Sequence, residues 1–249
     1  TDLRESRVQA LSAQSLQATT PDAAPTEPIV VIHGLGIGIV PYLSFVRKIL
    51  QECQQPMFLV ELPYVSLSLW NFVDINVPTI EQVQDSLAAM LRDHGHTKAC
   101  FVGHSYGTNY ITWLNQKHSE LVSEGVILID PIGFLLFEPD LISNMLYKNC
   151  FSGPVSYAIR RELFIRYVCH RHFWWMRNTL FADSLPAKSA VILSSQDNIV
   201  PAQKVYSYLS QAATRPRPLC EMFAAQHGSV VWMPLMQDRI VSIIKGWAR

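Results

Sequence analysis

The chain has 249 residues, 49% hydrophobic and 16% charged, a globular composition suited to one domain with a sizeable core. Twenty Lys and Arg balance twenty Asp and Glu, so the formal charge is zero and there is no general electrostatic attraction to nucleic acid. The five cysteines (Cys53, Cys100, Cys150, Cys169, Cys220) are odd in number and form no CxxC pair, which argues against a disulfide framework or zinc site and for free thiols, and the compartment is not readable from the sequence.

Residues 1–17 read as a short polar helix, and 18–28 as a Pro/Ala/Thr-rich linker. Residues 1–27 are thus expected to be an N-terminal extension, with the domain over 28–249. No apolar run reaches the ~18 residues that would span a bilayer. From Pro28 onward the pattern alternates. Short apolar runs rich in β-branched residues lie at 29–32, 57–62, 99–102, 126–129, 190–193 and 219–223. Such runs suit parallel strands buried on both faces. Helical patterns lie between them at 42–51, 80–94, 106–117, 202–212 and 229–247. The alternation predicts an α/β fold: a mostly parallel sheet of about six strands, with helices on both faces. It breaks once, over 134–183. That stretch is too long for a simple connection and predicts a helical cap insertion over the carboxyl edge of the sheet.

The run at 99–102 leads into Gly103-His104-Ser105-Tyr106-Gly107, and a helical pattern follows. A Gly-x-Ser-x-Gly turn from strand to helix is so sharp that side chains two residues either side of the serine would collide, while the hydroxyl stands clear. Ser105 is therefore the candidate nucleophile. A serine hydroxyl needs a base oriented by a carboxylate. In the chain order Ser, acid, His, these fall at Asp197, past the fifth run, and His227, past the sixth. Asp130, before Pro131, is a rival acid. An acyl-transfer site also needs donors for the oxyanion. The backbone N–H of Tyr106 supplies one, and that of Leu35, in the turn His33-Gly34-Leu35-Gly36, the other. His33 and His104 lie within these motifs and are expected to orient loops rather than act as bases.

Gly34-x-Gly36 lacks the third glycine of a dinucleotide fingerprint, so no cofactor site is read there. No His/Asp cluster shows metal-ligand spacing, so no metal is expected.

Together these segments resemble the α/β-hydrolase fold superfamily over roughly residues 28–247. The matching parts are His33-Gly34-Leu35-Gly36, Gly103 to Gly107, Asp197 with Val200-Pro201, and His227-Gly228. The resemblance implies a Ser-His-Asp triad, no metal, and a cap between the sixth and seventh strands of the full fold, where 134–183 falls. The first two strands of the full fold are not evident before Pro28, and the segment before Asp197 lacks the usual glycine. The implied activity is hydrolysis of a carboxylic ester with an apolar acyl or alkoxy group. Thioesters and amides use the same machinery, and the fold also carries non-catalytic binding proteins.

Residues 160–181 combine Arg and His with Phe164, Tyr167, Trp174, Trp175 and Phe181. One reading is a cap helix packed on the sheet with its charges in water. The other is a basic, aromatic surface resting on a membrane interface, with a lipid ester as the small-molecule partner.

Overall fold

The computed structural model describes residues 9–13, 27–67, 77–148, 153–213 and 216–247. Its strands are β1 (Gln9–Ala13), β2 (Ile29–Ile32), β3 (Met57–Glu61), β4 (Cys100–His104), β5 (Gly125–Ile129), β6 (Ser189–Ser194) and β7 (Leu219–Phe223). They form one sheet in the order β1-β3-β2-β4-β5-β6-β7. The six strands β2–β7 are parallel, as the apolar runs predict.

The polar helix expected within residues 1–17 is overturned. Gln9–Ala13 is a strand paired antiparallel with β3, Gln9 facing Glu61 and Ala13 facing Met57. Pairing with β3 satisfies backbone groups along an otherwise open sheet edge, which outweighs a weak helix preference. Most of the expected linker, and Cys150, lie outside the described residues.

The helices are α1 (Leu43–Glu52), α2 (Ile80–Asp93), α3 (Gly107–Lys117), α4 (Pro139–Ile142), α5 (Pro154–Arg161), α6 (Leu163–Arg171), α7 (Trp175–Asn178), α8 (Ala202–Gln211) and α9 (Pro234–Trp247). Strand residues alternate between two cores. Val30 and Ile32 face the core closed by Leu87 of α2, Leu114 of α3 and Val205 of α8. Ile29 and Val31 face the core closed by Phe45 of α1 and Ile240 of α9. Local signals set the helix ends. At α2, Gln82 N–H donates to Thr79 Oγ1 and Thr79 N–H to Gln82 Oε1, a reciprocal cap. The helical pattern expected from residue 229 starts later: Ser229–Val231 is a single 3-10 turn, and α9 begins at Pro234.

Between β5 and β6 the chain leaves the sheet and forms α4–α7. Its return is pinned to the body of the domain. Trp113 Nε1–H donates to Asn178 Oδ1 (2.8 Å), Leu180 N–H to Gly133 O (2.9 Å), and Ala182 N–H to the Tyr208 hydroxyl (3.0 Å). α6 turns Phe164, Ile165, Val168 and Cys169 inward and leaves Leu163 and Tyr167 exposed.

The strand order positions the site. The chain leaves β2 toward β3 on one side and leaves β4 toward β5 on the other. A crevice therefore opens at the carboxyl ends of β2 and β4, where α/β sheets bind ligands.

Candidate active site

Ser105 follows the last residue of β4 in a left-handed conformation, φ 51°. For a serine this is strained, and the surroundings hold it. Ser105 N–H donates to Ile129 O (2.8 Å), extending the register with β5, and Thr108 Oγ1–H donates to Ser105 O (2.6 Å). The flanking glycines are required sterically. A Cβ on Gly107 would lie 2.5 Å from Ile32 O and 2.6 Å from His33 O, and one on Gly103 would lie 2.7 Å from Ile111 Cδ1.

The folded chain brings Ser105, His227 and Asp197 together. His227 Nε2 lies 2.8 Å from Ser105 Oγ, and its Nδ1 lies 2.6 Å from Asp197 Oδ2. The second oxygen of Asp197 accepts the N–H groups of Ile199 (2.7 Å) and Val200 (2.9 Å), so the turn after β6 aims the carboxylate. On the other side, Gly228 at φ 78° reverses the chain after His227, and Gln226 N–H donates to Ser229 Oγ (3.1 Å). A proton on Nδ1, donated to Asp197, leaves Nε2 to accept from the Ser105 hydroxyl. Burial opposes protonation of His227, but the carboxylates of Asp197 and Asp130 outweigh it and raise the imidazole pKa.

Asp130, the rival acid, does not meet His227 directly. It is fully buried at the end of β5 and accepts from Ser194 N–H (2.9 Å), Ser194 Oγ–H (3.1 Å) and Gly228 N–H (2.9 Å). Burial pushes its pKa up to about 6; the nearby Asp197 adds to the rise and His227 opposes it. Ligating atoms of Asp130, Asp197 and His227 lie within 4.8 Å of one another, a spacing a metal ion could bridge. Here the carboxylate oxygens are engaged by N–H and O–H donors, the pattern of a hydrogen-bonded network.

The loop after β2 lies against the serine. A Cβ on Gly34 would sit 3.0 Å from Ser105 Cβ. Gly34 N–H donates to the Tyr42 hydroxyl (3.1 Å) and Gly36 N–H to Val65 O (2.9 Å). Among the described residues, the backbone N–H groups of Leu35 and Tyr106 have no acceptor, which suits both to an incoming oxyanion. His33 Nδ1–H donates to Gly34 O (2.7 Å), and its Nε2 accepts from Leu62 N–H (3.0 Å). His104 Nδ1 lies 2.5 Å from the Tyr42 hydroxyl, and burial holds the His104 pKa well below its usual value. Nothing in the local sequence marks Tyr42. Its link to both motifs exists only in three dimensions.

Above Ser105 and His227 lies a cavity of about 640 Å³. Leu35, Ile37, Val231 and Trp232 line it from the sheet side, and Ile159 and Ile165 from the segment between β5 and β6.

No protein-family model matches the chain, and a search of curated proteins found no match. Solved structures do resemble it. A serine hydrolase from Cycloclasticus zankles aligns at 13% identity and a TM-score of 0.64, over 96% of this chain and 98% of that one. A bacterial membrane phospholipase A, described as a virulence factor, aligns at 15% and 0.64, over 90% and 80%. A monoacylglycerol lipase from Paleococcus ferrophilus aligns at 12% and 0.58, over 88% and 94%. The chain has the α/β-hydrolase fold.

Proposed function

We propose that the protein is a serine hydrolase that cleaves carboxylic esters. The observation that carries this is the continuous hydrogen-bonded path from Asp197 through His227 to Ser105, opening into a largely apolar cavity. Ser105 Oγ attacks the ester carbonyl as His227 Nε2 takes its proton. Asp197 holds the imidazole tautomer and stabilises the imidazolium. The N–H groups of Leu35 and Tyr106 receive the oxyanion. His227 then protonates the leaving alkoxide, and water attacks the acyl-enzyme by the reverse route. Epoxide opening and dehalogenation are disfavoured, because on this fold they use Asp where Ser105 stands.

In this reading the insertion over 134–183 serves as a cap, and the apolar lining accepts the acyl or alkoxy chain. Lipid esters suit such a lining, and two structural neighbours are named as a phospholipase and a lipase. The exposed Leu163, Tyr167, Trp174, Trp175 and Met176 would rest on the lipid surface.

A fluorophosphonate probe tests the nucleophile. Folded wild type should label and Ser105→Ala should not; unlabelled wild type would favour a binding protein on this fold. Assays across acyl chain length test the substrate class, with medium chains expected to outrun acetyl esters.

A further inference from the structure

The walls of the cavity differ in chemistry. The loops after β2 and β7 contribute apolar side chains. Every Lys and Arg in the lining comes from the segment between β5 and β6: Lys148, Arg160, Arg161 and Arg166. No Asp or Glu is among the described residues that line it. Among the described lining residues this wall is basic, although the chain as a whole has equal numbers of acidic and basic side chains.

Of these four, Arg160 is the one whose charge is felt at His227. Its Nη2 donates to Asn144 O (3.0 Å), which fixes the guanidinium at the cavity wall. Its charge reaches two groups that line the cavity: it opposes protonation of His227, and it partly offsets the rise that burial imposes on the Cys169 thiol. A guanidinium held in a partly enclosed, apolar cavity is a strong site for a planar or tetrahedral oxyanion. The neighbouring cations deepen the potential that draws one in.

We propose that the substrate carries an anionic group, phosphate or carboxylate, beside its ester, and that Arg160 binds it while the apolar wall holds the hydrocarbon chain. The substrate class is thus an acyl ester of an anionic alcohol. This rests on Ser105 as nucleophile, but it makes a separate claim about binding.

Ether analogues, which cannot be hydrolysed, separate the two claims. An alkyl glycerol phosphate and the matching alkyl glycerol share one chain and differ only in the anion. Their binding to Ser105→Ala, measured by calorimetry on monomeric ligand, should differ at least about tenfold in favour of the phosphate. Adding Arg160→Gln should collapse that ratio to below about threefold, while Arg160→Lys should retain part of it. Raising the salt concentration should weaken only the phosphate ligand. Equal binding of the two ethers by folded Ser105→Ala overturns the proposal without reference to either Arg160 variant. Glycerol phosphate lacking the chain serves as a third arm. If it binds as tightly as the alkyl form, the anion subsite stands and its ligand is a soluble phosphate rather than a lipid. Failure of fluorophosphonate labelling would sink the hydrolase reading and leave this binding result to stand or fall separately.

Discussion

The Tyr42 hydroxyl joins the two halves of the candidate site, accepting from Gly34 N–H and lying 2.5 Å from His104 Nδ1. Gly34 carries the loop that presents Leu35, and His104 immediately precedes Ser105. Tyr42→Phe would leave two buried polar groups unpaired. We expect a loss of about 1–3 kcal/mol in urea unfolding, with ester turnover falling roughly tenfold as the Leu35 donor loosens.

The two acids should separate by mutation. Asp197→Asn places an amide where His227 Nδ1–H needs an acceptor, favouring the wrong tautomer. We expect kcat to fall by about 10⁴ with folding retained, as for the equivalent change in a serine protease triad. Asp130→Asn disturbs a buried acceptor of three donors. It should cost about 1–3 kcal/mol of stability and less activity than Asp197→Asn. Steady-state kinetics and unfolding on the same preparations check both.

The pH profile follows from His227. Protonated imidazole cannot accept the serine proton, so kcat/KM should fall as pH drops through the His227 pKa. Two carboxylates raise that pKa, so the midpoint should lie above the usual ~6.5. Asp130→Asn removes one of them, and the acid limb should move to lower pH. A limb that stays put would show that Asp130 exerts no field at the imidazole.

Glycines should divide by environment. Gly107→Ala drives a Cβ into the backbone oxygens of Ile32 and His33, and we expect a loss of about 3 kcal/mol or failure to fold. At Gly246, near the end of α9, a Cβ would meet nothing within 4 Å; Gly246→Ala should gain up to about 1 kcal/mol. Thermal melts of the pair measure the contrast.

If the aromatic face of the insertion meets membranes, Trp174→Ala with Trp175→Ala should reduce binding to anionic vesicles about tenfold. Hydrolysis of a soluble short-chain ester should change little. Flotation and a soluble-substrate assay report the two effects independently.

The sequence by itself determined the six parallel strands, because continuous β-branched runs have few other solutions when both faces are buried. It also determined the elbow at Ser105, because Gly103 and Gly107 answer a clash within one turn. Ser105, Asp197 and His227 could be nominated from sequence because strand ends impose an order on them, and the fold brings the three side chains together. The tertiary structure alone decided the rest. Gln9–Ala13 joins the sheet through backbone pairing with the distant β3, which side-chain pattern does not encode. Chain order favours Asp197 over Asp130, but the reason it reaches His227 is tertiary: the turn after β6 aims its carboxylate at Nδ1, while Asp130 accepts from Ser194 and Gly228. Tyr42 and Arg160 have no local signature, because their meaning lies in distances to residues far along the chain. Local sterics and burial are written residue by residue, whereas a hydrogen-bond partner or a shared cavity exists only once distant segments have packed.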